Sequence, residues 1–147
     1  MKRVDVYKLD QGLGFLLRLA SARLNNLYTL KCDGYDITPR QFAVLITLYQ
    51  QGDLTPTELA EHIKVDRSTL SEMLSRMTDR RLIKRIPDPA DGRSYRLTIL
   101  PDGVARVSSL APLVEVNHTE ILSVIPAADR KKFLTYLAAI GQMPDED

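Results

Sequence analysis

Tryptophan is missing from this chain altogether, and of its 147 residues only one is cysteine and two are histidine. The lone thiol, Cys32, has no partner with which to build a disulfide framework. His62 and His118 stand too far apart in sequence to form a metal-ligand motif, and neither lies in a local signature that would join serine and aspartate into a triad. Disulfide-scaffold, metal-dependent and nucleophilic readings therefore have nothing to start from. No cofactor is implied, and the expectation is that the chain is not an enzyme. Long apolar runs are also wanting: none approaches the ~20 residues that a membrane helix needs. Met1-Lys2-Arg3-Val4-Asp5 leads into acid and tyrosine instead of an apolar signal segment. The expectation is a cytoplasmic protein with no membrane partner, its single cysteine structural and inert rather than a redox sensor. Gly12-Leu13-Gly14 lacks the third glycine and the preceding strand of a phosphate loop, so it reads as a helix entry.

Excess charge is scarce as well, with a formal net charge of only +1. Its distribution is uneven. Between Lys64 and Arg96 there are nine Lys and Arg against five Asp and Glu, so a basic patch sits on an otherwise slightly acidic chain. Phosphate contacts dominate nucleic-acid affinity, and a local patch of this kind suits a protein that reads a site without adhering to every polyanion.

The patch coincides with the most patterned stretch, Leu54 to Leu100. Thr55-Pro56-Thr57-Glu58 is a capping box with proline where no donor is needed, so a short helix starts there and carries Leu59, Ala60 and Ile63 inward. Lys64-Val65-Asp66 ends it, and Asp66 with Thr69 marks the start of a second helix. In that helix Leu70, Met73, Leu74 and Met77 repeat at helical spacing and form one apolar stripe. The opposite face carries Ser68, Ser71, Glu72 and Ser75, flanked by Arg67, Thr69 and Arg76. A merely solvated face favours long side chains of high helix propensity. Short hydroxyls instead allow close approach to a surface and can donate to phosphates and base edges, while arginine can bridge a guanine. Two short helices and a tight turn, the second with such a face, make a helix-turn-helix. Glu72 has two readings, an acceptor for cytosine or an ion-pair partner of Arg76 one turn on. Leu82 to Ile86 and Arg93 to Ile99 then flank the turn-rich Pro87-Asp88-Pro89-Ala90-Asp91-Gly92, a hairpin with Tyr95, Leu97 and Ile99 on one side and Arg96 and Thr98 on the other.

On these residues the chain resembles the MarR family of winged helix-turn-helix transcriptional regulators. The resemblance rests on Thr55 with Glu58-Leu59-Ala60, on Ser68-Thr69, and on Leu82-Ile83-Lys84-Arg85. Around the wing it rests on Asp88-Pro89-Ala90-Asp91-Gly92-Arg93 and on Leu97-Thr98 with Gly103. It implies a mainly α fold with a small β-hairpin wing, flanked by N- and C-terminal dimerisation helices. It implies further that Arg93 enters a minor groove, held by aspartate at Asp88 or Asp91. A surface arginine merely paired with those acids is the plainer reading. Many relatives carry glycine before the first wing strand, and this chain has Arg81. If the helix ends there in a left-handed residue, the side chain costs ~1 kcal/mol.

The flanks agree with a dimer. From Leu13 to about Lys31 one stripe runs through Leu13, Leu16, Leu17, Ala20, Leu24, Leu27 and Tyr28, and a second through Phe15, Leu19, Ala22 and Leu30. A helix apolar on two sides needs two partners. Thr38-Pro39-Arg40-Gln41 opens another capped helix, which Gly52 closes. After the wing, Pro101-Asp102-Gly103 opens a long helix with Val104, Val107, Leu110, Ala111, Val114, His118, Ile121 and Leu122 inward and a kink expected at Pro112. A last helix carries Phe133, Leu134, Leu137 and Ala138 ahead of the acidic Asp145-Glu146-Asp147. The expected division is 1–37 for dimerisation, 38–100 for DNA reading and 101–147 for dimerisation again, within one compact subunit. Family resemblance adds a crevice between the dimer helices and the reader that takes small aromatic or anionic effectors. Arg18 is a candidate there for a carboxylate and Phe42 for an apolar wall. The expected function is a homodimeric, sequence-specific regulator that binds a near-palindromic operator in double-stranded DNA, a repressor relieved by a small effector. The alternative is a winged-helix module that binds protein and no longer reads DNA.

Overall fold

A computed structural model describes residues 8–143. The weak alternation from Val4 to Asp10, which suggests a short extended arm, lies outside the described residues up to residue 7 and ends in a 3-10 turn instead of an extended segment, and the acidic end at 145–147 lies outside the described residues. The elements follow the expected order. A 3-10 turn at Leu9–Gln11 precedes α1 (Leu13–Lys31), α2 (Pro39–Gln51), α3 (Pro56–Ile63) and α4 (Arg67–Asp79). The strands β1 (Ile83–Asp88) and β2 (Asp91–Ile99) pair antiparallel, and α5 (Pro101–Leu122) and α6 (Ala127–Gly141) complete the chain. No helix among the described residues is long and apolar enough to cross a membrane.

Local chemistry sets each boundary of the reader. Thr38 with Gln41, and Thr55 with Glu58, both form complete capping boxes with proline in the first turn, which satisfies donors that a helix start otherwise leaves open. Asp66 caps α4 by accepting from the Thr69 backbone N–H at 2.9 Å. Gly52 ends α2 at φ +85°, a left-handed conformation that glycine adopts without steric cost. The other turns use costlier residues: Lys64 between α3 and α4 has φ +54°, and Arg81 after α4 has φ +57°. At Arg81 the helix closes in a full Schellman motif. Leu82 N donates to Met77 O at 3.1 Å, Arg81 N to Thr78 O at 2.9 Å, and the accompanying apolar contact is supplied by two buried side chains, Leu82 and Met77.

One core joins the elements. Leu45, Leu48, Leu59, Leu70, Leu74, Met77, Ile83, Leu97 and Leu110 are all fully buried, so the expected inward stripe of α4 packs against α2, α3, the hairpin and α5. The hairpin is extended by a single bridge in which Leu54 and Leu97 exchange hydrogen bonds of 3.3 and 2.8 Å. Helix α5 runs on through Pro112. Its inward face differs from expectation at one turn: Asn117 is buried, at 2% exposure, while His118 is exposed.

Both terminal helices leave apolar surface uncovered. Leu13, Leu16, Leu19 and Leu30 of α1 are exposed, as are Phe133, Leu134, Tyr136 and Ile140 of α6, and α6 buries none of its residues.

Close packing at the start of α5 gives a stability prediction. A Cβ on Gly103 would collide with the Leu82 carbonyl oxygen and lie 2.8 Å from Ile99 Cγ1. Gly103→Ala should destabilise the fold by ~1–3 kcal/mol, the usual cost of overpacking. Arg81→Gly should do the reverse, stabilising by ~1 kcal/mol through relief of the left-handed strain. Urea unfolding of the two variants beside the parent checks both signs.

Candidate nucleic-acid interface

The outward face of α4 is free of packing. Ser68, Ser71, Glu72, Ser75, Arg67 and Arg76 are exposed and Thr69 is half-buried. The first turn is held by Asp66: Ser68 Oγ donates to Oδ1 at 2.8 Å and Thr69 Oγ1 to Oδ2 at 2.7 Å. The Thr69 backbone N–H, then the two hydroxyls, hold the Asp66 carboxyl far below the usual carboxylate range. Arg67 donates to Thr57 Oγ1 of α3, so it spans the turn between the helices. Of the two readings of Glu72, the structure displays the ion pair with Arg76 one turn on. Both partners are largely exposed, and an exposed pair of this kind is readily exchanged for a phosphate or a base edge.

In the hairpin, residues 83–87 pair with 99–95, then the register shifts and Asp88 pairs with Asp91, leaving Gly92, Arg93 and Ser94 without a cross-strand partner. Arg93 therefore stands out at the tip, exposed. Among the described residues its guanidinium is not held by aspartate. Asp91 accepts from the Arg93 backbone N–H at 3.0 Å, and Asp88, nearly buried, binds Arg96 Nε at 3.2 Å instead. The reason is strand alternation: Asp88 and Arg96 share one face of the ribbon, whereas Arg93 belongs to the other. Arg85 lies over the Tyr95 ring, 4.7 Å from its centroid, a cation–π contact that stiffens the ribbon.

Sequence reasoning placed Arg96 only on a face and missed its role. Besides Asp88 it donates to the Asp53 carbonyl oxygen at 2.8 Å and lies 3.5 Å from Glu58 Oε2. Glu58 is the capping carboxylate of α3, accepting from Thr55 N at 2.7 Å. One guanidinium thus joins the wing, the α2–α3 loop and the helix-turn-helix. Carboxylates at both ends are held low, Glu58 mainly by Thr55 with Arg96 adding, and Asp88 mainly by the Ala90 N–H with Arg96 adding. Groups lowered by folding stabilise it above their unfolded pKa, and that stabilisation is lost as pH falls through the folded values. Arg40 was also missed. It lies at the start of α2 in a groove shared with Thr69, Glu72 and Arg76, a cation beside the reading face that a search confined to 54–100 could not find.

The effector candidates separate. Phe42 lines a cleft of about 310 Å³ between α1, α2 and α5, together with Tyr28, Ile46, Val114 and Asn117. Arg18 does not line it. Arg18 is exposed and stacks on Phe15 of its own helix, 5.2 Å from the ring centroid; on α1 it lies nearly two turns before Leu24, where the cleft begins. Cys32 is buried, its thiol pushed up by burial. No group of three potential metal ligands occurs among the described residues.

With this geometry in hand, comparison with known proteins is direct. The family model for the MarR family matches residues 37–95, from the end of the α1–α2 loop into the wing. The multiple antibiotic resistance protein MarR of Salmonella typhimurium is 34% identical over 101 residues, covering 69% of this chain and 70% of the relative. The chain belongs to the MarR family. It is a DNA-binding transcriptional regulator of winged helix-turn-helix architecture. Among solved structures of the family, BpsR of Bordetella bronchiseptica, whose DNA binding is regulated by 6-hydroxynicotinic acid, superposes with a TM-score of 0.90 at 26% identity, covering 95% of this chain and 99% of that one. A mutant MarR of E. coli in complex with operator DNA gives a TM-score of 0.82 at 27% identity, covering 95% and 99%.

The Arg96 junction is testable in this MarR-family chain. Arg96→Met should loosen the wing, raising amide exchange across residues 88–96, and should weaken operator binding by roughly tenfold, while helical content stays intact, as expected when one member of a coupled network is removed. Exchange monitored by NMR together with a binding titration checks it.

Proposed function

We propose that this chain acts as a homodimeric repressor whose two reading heads engage a near-palindromic operator and are released by a small aromatic effector. The observation that carries the reading is the exposed serine and arginine face of α4 continuing, through the turn at Arg80–Leu82, into a wing with Arg93 at its tip. On it, Arg67, Ser68, Thr69, Ser71, Glu72, Ser75 and Arg76 meet the major groove. Arg93 enters the adjacent minor groove, and Asp88 and Asp91 shape the tip that carries it.

The uncovered leucines of α1 and the uncovered aromatic and aliphatic side chains of α6 favour a twofold dimer through the N- and C-terminal segments, leaving residues 38–100 as the reader. A dimer of reading heads matches half-sites one helical turn apart. BpsR and E. coli MarR, both similar to this chain over nearly its full length, lend support from the ligand and the DNA side. The effector belongs in the cleft at Phe42. Among the described residues no lysine or arginine lines that cleft, so its aromatic wall is better accounted for than a carboxylate anchor at Arg18. A ligand there would touch α1, α2 and α5 together and so bias the spacing of the heads, with effector and DNA affinities coupled reciprocally.

Arg93→Ala should weaken binding to the DNA upstream of the chain's own gene by roughly tenfold, in line with ~1–3 kcal/mol for a lost arginine contact, with an unchanged circular dichroism spectrum. A gel shift with unaltered affinity would remove the wing from the reading surface.

A further inference from the structure

Asn117 occupies a position that the pattern of α5 reserves for an apolar residue. Val107, Leu110 and Val114 precede it at helical spacing on the inward face, and Ile121 follows one turn on. Its side chain is 2% exposed, and Oδ1 is the buried side-chain atom without a hydrogen-bond partner among the described residues. Leaving such an acceptor unpaired costs its desolvation, which is why native interiors rarely do so without a functional reason.

The residue lines the cleft at Phe42. The other polar side chains on the lining are the carboxamide of Asn25, the imidazole of His118 and the hydroxyl of Tyr28. The Tyr28 hydroxyl already donates to Ile37 O at 2.8 Å and stays protonated, burial pushing its pKa up to about 12. A cleft with an aromatic wall, carboxamides on α1 and α5 and, among the described residues, no lysine or arginine on its lining recognises chiefly by hydrogen bonding. A carboxamide offers an acceptor and donors side by side. Its complement is a group with a donor and an acceptor side by side, as in a lactam or a primary amide.

The geometry points to Asn117 as the specificity-determining residue of the cleft, reading a small planar ligand that carries a neutral N–H next to a carbonyl, of the lactam or carboxamide class. This rests on the effector reading of the cleft, and the two can fail separately. A ligand of that kind pairs the orphaned acceptor and lays its ring on Phe42. An analogue with the N–H replaced by a methyl group leaves the acceptor unpaired and meets a clash.

The test uses the full chain and two probes that differ only at that atom, 2-pyridone and N-methyl-2-pyridone, titrated while backbone amide shifts are followed by NMR. The expected result is binding of 2-pyridone at least about tenfold tighter, the discrimination characteristic of a site left with an unpaired polar group, with shifts centred on α1, α2 and α5. Asn117→Leu should abolish the preference. Equal binding of the two probes to the parent protein, or a preference that survives Asn117→Leu, overturns the role of Asn117 and leaves the cleft as an aromatic site. If neither probe shifts residues of the cleft, the effector reading fails and this inference with it. The ligand-free melting temperature is a second readout. Asn117→Leu should leave it unchanged or raise it, because an unpaired buried amide is replaced by an apolar isostere; a clear fall would show that the amide is already satisfied in the folded protein and would overturn the proposal.

Discussion

A two-stranded hairpin is marginal on its own; here Ile83 and Leu97 bury its base in the core, and one guanidinium ties the rest of the ribbon to the reader. Arg96 bonds Asp88 on its own ribbon, the Asp53 carbonyl in the loop before α3, and the carboxylate of Glu58. Glu58 at the same time closes the capping box that starts the helix-turn-helix. The angle of the wing is thereby tied to the residue that defines where α3 begins. The Leu54–Leu97 bridge fixes the same junction through the backbone. The proposed reading by Arg93 depends on this rigidity, since an exposed arginine at the tip is useful only if the ribbon delivers it at a fixed distance from α4.

Two left-handed corners complete the frame. Lys64 between α3 and α4, and Arg81 between α4 and β1, take positive φ angles that glycine would adopt more cheaply. Each adds a positive charge at the end of a helix and within the basic patch. The strain at Arg81 is offset by the paired carbonyls and the Leu82–Met77 contact of its Schellman motif.

The caps and helix starts were legible because their chemistry is local: Thr38 with Gln41, Thr55 with Glu58, and Asp66 with Thr69 lie three residues apart and act through their own backbone. The α4 stripe was legible for the same reason, whereas a left-handed residue at Arg81 was raised only as a condition, from the glycine that relatives carry there, and the structure gives it φ +57°. What escaped needed contacts distant in sequence. Arg96 finds Asp53, forty-three residues away, and the pairing of Asp88 with Arg96 instead of Arg93 depends on which ribbon face each occupies across the two strands, which turn composition alone does not encode. His118 was expected inward where Asn117 is, because hydropathy alone ranks a histidine and an asparagine too closely to fix the phase of α5. Arg18 was a candidate through the family resemblance, beside the plainer reading of a snorkelling or interface arginine, and the cleft that Phe42 lines begins further along α1.

Helix α1 carries both an uncovered apolar face and part of the wall of the Phe42 cleft, which α2 and α5 complete, whereas α6 lines none of it. The Lys31–Glu120 ion pair clamps α1 to α5. The proposed effector cleft and one of the proposed dimer helices thus share α1, which would let ligand, assembly and DNA reading be coupled reciprocally. DNA reading requires the basic patch at 64–96 to meet a polyanion. The most direct measurement is operator affinity as a function of salt. Contact with several phosphates predicts a linear fall of log affinity with log salt, with a slope of about −0.9 per phosphate neutralised; an affinity that barely changes with salt would contradict DNA reading and favour a protein-binding winged helix.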